Sequence, residues 1–280
     1  MKRFVFALGV LIVGLGPVAA QEEVAPLIKP SVPQSYELFK KMVWRRMDMK
    51  EKQNRPFFSL NGEVSRLLIE AVDEGLLRPY RSDSCINFMP DIVFVSNISV
   101  EREDNPFVGG GFSSFGAEPQ EQETTEPDGP LLDAIPPELF SVLYVREEVV
   151  FDRNRSRMYT YIKSLSLFLP ASAGSDWNPG GFEKPIAHFK YDEVVDLFKN
   201  QYSDRAVWYN VQNEAANLNF ADAFELRLFH APIVRLSNPQ NLDIRQEYAE
   251  EAAQDPLAPL IYQQKYEYDL MEYESELWEY

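Results

Sequence analysis

Residues able to carry acid, base, nucleophilic or metal chemistry are few in this chain. It has two histidines, His188 and His230, and one cysteine, Cys85. The histidines show neither HxH nor HExxH spacing, and one thiol does not complete a zinc set, so each reads as a satisfied structural side chain. No G-x-S-x-G turn raises a serine nucleophile, and Ser35, Ser65 and Ser84 read as caps or turns. Glu147, Glu148 and Asp152 come nearest to the carboxylate pair of a glycoside hydrolase. Neighbours on a strand point to opposite faces, however, so Glu147 and Glu148 cannot share a cleft. Gly109, Gly110 and Gly111 resemble a phosphate loop only in composition: no Lys follows them and no apolar strand leads into them. An EF-hand loop with alternating ligands is also missing. The sequence therefore assigns no catalytic residue, no cofactor and no metal site.

A different kind of chemistry is concentrated in Val43–Leu60, VWRRMDMKEKQNRPFFSL. Trp44 is followed by Arg45 and Arg46, then Asp48, with Lys50, Lys52 and Arg55 before the apolar step Pro56-Phe57-Phe58. An indole anchor beside guanidinium forks suits docking on a partner better than catalysis. Its plainer reading is a solvated amphipathic segment with one buried Trp. A second docking candidate lies at the other end. Tyr266, Leu270, Tyr273 and Leu277 recur at i, i+4, i+7 and i+11, which predicts a narrow apolar stripe on an acidic helix. The alternative is that this stripe packs on its own domain.

Compartment follows from the first residues. Lys2 and Arg3 precede the apolar run Phe4–Leu15, which is too short to span a bilayer as a helix. Gly16 and Pro17 break it before Val18-Ala19-Ala20. This is the pattern of a signal peptide, with cleavage expected between Ala20 and Gln21. Removing Lys2 and Arg3 would take the formal charge from −17 to −19. A chain so acidic is repelled by nucleic acid and by anionic membrane surfaces. No later run is long and apolar enough to insert in a membrane, and no Cys follows the cleavage site to carry lipid. Cys85 has no intramolecular partner and reads as a small buried hydrophobe.

The elements follow in order. Residues 21–34, with Pro26, Pro30 and Pro33, form an extended arm. From Ser35, the spacing of Tyr36, Phe39, Met42 and Val43 predicts a helix, with Glu37 and Lys41 paired at i, i+4, although strand alternation also fits near Met47. Asn61-Gly62 is a turn, and Glu63–Glu74 a helix ended by Gly75 at C′. Leu76–Tyr80 and Ile92–Val100 read as strands. Between 101 and 137 stand nine acids against Arg102 alone, with repeated Gly and Pro. Such a segment buries too little to offset its ordering entropy and is expected to be disordered. Val142–Phe151 and Arg157–Leu169 predict a long antiparallel hairpin around a polar turn. Ile186–Lys190, Val207–Val211 and Phe229–Leu236 read as strands, Asp192–Lys199 and Asn219–Arg227 as helices capped by Asp192 and Asn219. Strands grouped as hairpins without βαβ alternation predict an α+β fold: one domain, an antiparallel sheet, a few short helices and a long acidic insertion.

Several of these pieces, in this order, resemble the GldN/PorN family. Trp44-Arg45-Arg46-Met47-Asp48 with Glu51-Lys52, Asn54 and Pro56 is similar to its W-R-x-x-D-x-x-E-K-x-N-x-P pattern. Leu67–Tyr80, Arg146-Glu147-Glu148 with Phe151-Asp152 and Ser156, and Phe220–Arg227 with Phe229 and Asn238 are similar to its later segments. Val149 and Glu214 depart from it. The resemblance spans Tyr36 to Tyr248 in two parts, 35–100 and 138–248, flanking the 101–137 insertion and followed by an acidic aromatic tail, 249–280. It implies a non-enzymatic subunit of the type IX secretion and gliding machinery, forming a periplasmic ring at the outer membrane. The partners implied are an outer-membrane lipoprotein of the GldK/PorK type, the periplasmic region of a GldM/PorM-type motor protein, and further copies of the chain. A different class of function, a periplasmic ligand-binding module or carrier, would need a pocket beside the Tyr159–Leu169 strand.

Overall fold

A computed structural model describes residues 30–101 and 132–277. The segment read as a signal peptide, most of the expected arm and residues 102–131 of the acidic insertion lie outside these residues. At the centre is one five-stranded antiparallel sheet. Its strands are β1 (Glu37–Asp48), β2 (Val142–Asp152), β3 (Arg157–Leu169), β4 (Lys184–Lys190) and β5 (Ile233–Leu236), in the order β5-β1-β2-β3-β4. The predicted hairpin is β2–β3, in register from Val142 opposite Phe168 to Asp152 opposite Arg157, with a bulge at Arg146/Glu147. Asp152 builds its turn, accepting hydrogen bonds from the Asn154 and Arg155 amides at 2.8 and 3.3 Å.

The helix predicted from Ser35 is instead β1. Its side chains alternate, with Phe39, Val43 and Met47 on one face, and it lies between β5 and β2, where both of its edges find backbone partners. Long-range pairing of that extent overrides a local helical spacing. The expected Glu37–Lys41 pair gives way to Lys40, which pairs with Glu37 at 3.7 Å and with Glu148 at 2.7 Å. Since β1 comes from the segment before the insertion and its neighbours from the segment after it, both contribute to one sheet.

Two further expectations are corrected. Ile92–Val100 is mostly helix α2 (Asp91–Asn97), with only Ser99–Glu101 extended and paired to Leu132–Ala134. Pro90 starts the helix: its carbonyl accepts from the amides of Val93 and Phe94. Only Phe94 is buried there, too little for the β-branched run to hold as a strand. Leu76–Tyr80 is not a strand, and Tyr80 alone bridges to Phe88 and His188. Phe229–Leu236 shortens to β5 and Val207–Val211 to Val207–Trp208.

Local signals fared better. The earlier helix α1 (Val64–Asp73) ends in a Schellman motif, Leu76 N–H bonding Ala71 C=O and Gly75 N–H bonding Val72 C=O, with Gly75 at φ +72°. Helix α3 (Tyr191–Asp196) carries Asp192 in its first turn, with Lys190 rather than Asp192 at the N-cap, and a π-helical turn carries it on to Gln201. Asn219 caps α4 (Phe220–Glu225), its Oδ1 accepting from Ala221 N at 2.9 Å. The chain leaves α4 before the expected Arg227, which adopts a positive φ. After β5 come α5 (Ile244–Glu247), α6 (Ala249–Gln254) and the long α7 (Ala258–Glu276).

One face of the sheet carries two apolar clusters, one at each end of the strands. The larger packs Met47, Leu143, Val145, Leu165 and Phe189 against Leu67 and Leu68 of α1, Val194 of α3 and Phe220 and Phe224 of α4. The smaller gathers Val43, Val149, Ile233, Leu236 and Ile244, covered by Tyr266 and Leu270 of α7. Between them the row turns polar, at Arg45 on β1 and Glu147 on β2, which are diagonal neighbours across the ladder.

Candidate partner-binding face around Trp44

Strand alternation divides the Trp44–Asp48 stretch between the two faces of the sheet. Trp44, Arg46 and Asp48 point away from the apolar clusters. On that side Trp44 donates from Nε1 to Asp83 Oδ2 at 2.6 Å. The guanidinium of Arg235 lies 4.0 Å from the indole centroid and that of Arg146 5.6 Å from it. Asp83 is the staple of this face. Its backbone carbonyl accepts from Arg146 Nη1 at 3.0 Å and Ser164 Oγ at 2.8 Å, and its carboxylate accepts from Arg235 Nη2 at 3.3 Å. Cation–π contact and charge-assisted bonding thus hold one loop against strands β1, β2, β3 and β5. Cys85, at φ +52° in the same loop, is half-buried, and burial pushes its thiol up to about 11. It is not a nucleophilic thiolate at neutral pH.

Arg46 bonds Glu183 Oε1 through Nε at 2.8 Å and Nη2 at 2.5 Å, while Tyr144 donates to Glu183 Oε2 at 2.8 Å. Asp48 accepts from the amide of Lys50 at 3.0 Å. Tyr144 and Glu183 border a cavity of about 540 Å³ with an aromatic wall of Trp44, Tyr144 and Phe168 and the carboxylates Asp83, Glu183 and Asp243. His188 also lines it, with Nδ1 2.6 Å from Ser166 Oγ. Burial holds the imidazole below its usual range, against an opposing pull from Asp83. Burial raises the Asp243 carboxyl, opposed by Arg235. Asp243 also forms the capping box of α5 with Gln246.

A depressed histidine has a definite linkage sign. Below about pH 6.5 the unfolded chain takes a proton that folded His188 still refuses, so stability falls as pH drops from there toward the folded value. His188→Gln should flatten this part of the profile, as read from urea midpoints of the variant and the parent at pH 7 and pH 5.

Arg45 points to the opposite face, and the structure spends its fork inside the molecule. Nε donates to Glu147 Oε2 at 2.9 Å, Nη1 to Glu267 Oε1 at 2.5 Å and to Ala231 O at 3.0 Å, and Nη2 to Glu267 Oε2 at 3.1 Å. Glu147, fully buried, accepts from Arg227 Nη1 at 2.7 Å on its other oxygen. Glu148 lies on the far face, paired with Lys40 at 2.7 Å and Lys163 at 2.8 Å. The two glutamates therefore do not share a cleft, and each carboxylate is occupied by cations.

The tail stripe also turns inward. Tyr273 packs on Phe39 with ring centroids 4.9 Å apart, and the Tyr266 hydroxyl lies 3.1 Å from that of Tyr248. Burial, then the bond to Tyr248, pushes the Tyr266 hydroxyl up. Tyr266 and Leu270 cover the smaller cluster, and Leu277, just past the helix, is half-buried. The residues that sequence reasoning missed are the ones these groups need: Asp83, Arg235, Glu183 and Glu267. None carries a local motif, so only the fold brings them in.

Among the described residues no three His, Cys, Asp or Glu are grouped to hold a metal ion, and no helix is long and apolar enough to cross a membrane. Residues 32–279 match the family model described as gliding motility associated protein GldN. That match continues through α7, past the Tyr36–Tyr248 stretch that carries the sequence resemblance. No curated protein matches the chain.

Proposed function

The chain belongs to the GldN family of gliding-motility-associated proteins, and from that membership we propose that it is a non-enzymatic structural subunit of the type IX secretion and gliding machinery. In this reading it works in the periplasm, held at the outer membrane by a lipoprotein of the GldK/PorK type, with which it builds a ring. It also meets the periplasmic region of a GldM/PorM-type motor protein. The observation that carries the reading is the length of the family match, which takes in every described element of the fold. The polar groups of the Trp44 face agree with it, since they are organised as a recessed aromatic and charged surface and their carboxylates are already held by cations. Deleting the gene should abolish both spreading on agar and release of secreted cargo, with restoration by the wild-type copy. A deletion strain that glides and secretes normally would overturn the reading.

Trp44→Ala tests whether this face takes part in assembly. The indole is half-buried and its loss opens space beside Asp83 without emptying either apolar cluster. The expected result is a folded chain that no longer co-purifies with the lipoprotein. An unfolded variant would instead make Trp44 a core residue.

One observation favours the second reading, a ligand-binding module. The cavity beside Trp44 borders Ser166 and Phe168 of β3, where a carrier's pocket was expected. A small molecule that raises the melting temperature of the isolated monomer would support it.

A further inference from the structure

Helix α7 and the segment 227–232 flank a groove of about 570 Å³ on the side of the sheet opposite the Trp44 face. Most of the charged groups along it are spent on one another. Arg45 gives all three guanidinium nitrogens to Glu147, Glu267 and Ala231 O, and both Glu267 oxygens are taken in return. Arg227 closes the cluster on Glu147. Two cations thus balance two carboxylates, and the cluster offers no net charge to an ion. The other carboxylate of the lining, Glu51, stands half-exposed with its Oε2 3.1 Å from His230 Nδ1.

Two polar groups in the groove are not spent. Gln263 is only 8% exposed, yet no described residue hydrogen-bonds its side-chain amide. Native proteins rarely bury a carboxamide without a partner. Gln263 lines the groove, so its amide is presented to whatever the groove holds. Arg227 gives only Nη1 to Glu147, at 2.7 Å, which leaves Nε and Nη2 without a bond to any described residue. Its guanidinium lies 5.5 Å from the Phe229 centroid, and Phe229, Pro232 and Leu260 make an apolar wall beside it.

These free groups state what the groove accepts. A carboxamide donates from its nitrogen and accepts at its oxygen, so its best partner offers an acceptor and a donor side by side. In an extended polypeptide the N–H and C=O of one residue point the same way and supply that pair. The spare N–H groups of Arg227 suit a neighbouring carbonyl, and the apolar wall suits an uncharged side chain.

We propose that this groove binds an extended, uncharged peptide segment, with Gln263 bridging the N–H and C=O of one apolar residue and Arg227 donating to a neighbouring carbonyl. The groups involved are separate from the Trp44 face, and failure of the secretion assignment would not touch the proposal. Its test titrates the mature full chain, labelled with ¹⁵N, with the blocked pentapeptide acetyl-Ala-Ala-Leu-Ala-Ala-amide. Two analogues are compared, one with Gly in place of Leu and one methylated on the Leu nitrogen. The readout is the side-chain amide signal of Gln263, identified as the one missing from Gln263→Met. The Leu peptide should shift that signal saturably. The methylated and Gly peptides should each bind about tenfold or more weakly, through the lost donor and the lost apolar contact. By calorimetry, Gln263→Met should bind the Leu peptide about tenfold or more weakly than the parent. It should unfold in urea no earlier than the parent, since an apolar group of similar length replaces an unpartnered amide. A Gln263 signal that the Leu peptide leaves in place, equal affinity for the three peptides, or equal affinity of variant and parent would each overturn the proposal. So would a Gln263→Met variant that unfolds earlier, because the amide would then be holding the fold.

Discussion

Replacing Glu147 by alanine is expected to cost about 3–5 kcal/mol of stability, although the residue next to it tolerates the same change. The Glu147 side chain is fully buried, and its two oxygens take Arg45 and Arg227 at 2.9 and 2.7 Å. Removing the carboxylate leaves Arg45, itself only 13% exposed, with its Nε unpaired in the gap between two apolar clusters. A buried charge stripped of its partner loses more than the pair was worth. Glu148→Ala removes a carboxylate that solvent already reaches, whose partners Lys40 and Lys163 lie at the surface, and should cost no more than about 1 kcal/mol. Replacing the three by apolar side chains (Glu147→Leu with Arg45→Met and Arg227→Met) should recover most of the loss, because no fully buried charge is left unpaired and Glu267, which loses Arg45, is 35% exposed and can be hydrated. Urea unfolding of the three proteins reads all of this directly. A Glu147→Ala midpoint equal to that of Glu148→Ala would show that the network carries no such weight.

The other large effect is expected at Phe224, in the larger cluster at the end of the strands away from α7. Its ring is fully buried and lies 4.8 Å from that of Phe57, 5.7 Å from Phe229 and 6.5 Å from Tyr191. It therefore ties α4 to the segment after β1, to the loop leading into β5 and to α3. Phe224→Ala should cost about 3–5 kcal/mol, the transfer of a ring plus the cavity it leaves. For a domain of this size that is a fall of roughly 6–20 °C in Tm by calorimetry. Phe224→Leu, which keeps most of the volume, should lose much less. If both variants melt together with the parent, α4 is not part of the cooperative core.

How much of this was legible beforehand depended on range. Asn219 and Gly75 act within a few residues of themselves, so a cap and a helix stop could be read from local chemistry, and both occur as expected. The β2–β3 hairpin is also local, with apolar alternation on both sides of a polar turn. Strand β1 was not legible, because Tyr36, Phe39, Met42 and Val43 satisfy helical spacing while their true partners lie more than a hundred residues away on β2. Residues 92–95 misled in the other direction: a β-branched run suggested a strand, but Pro90 opens a helix there and little of it is buried. In the tail the helix and its inward stripe were visible. Which face stayed open was not, because apolar residues on both sides give the helix no single apolar face.

The Trp44 stretch shows the same limit at the site. Its residue types suggested one docking patch, yet a strand sends successive side chains to opposite sides. Trp44 thus lines an open cavity, Arg46 holds the Glu183 of its wall, and Arg45 disappears into a network with Glu147 and Glu267, 102 and 222 residues further along the chain. Asp83, which organises the Trp44 face, stands in a loop with no motif to mark it. Contacts at such separations are properties of the fold, and composition does not announce them.

The central claim, that this chain is an assembly-forming subunit, is met most directly by one mass measurement. The mature chain would be co-expressed with the GldK/PorK-type lipoprotein encoded in its neighbourhood, extracted in mild detergent, and the mass and stoichiometry of what co-purifies determined. The account predicts a large complex holding both proteins in fixed ratio. A well-behaved monomer, with the lipoprotein eluting separately, would contradict it.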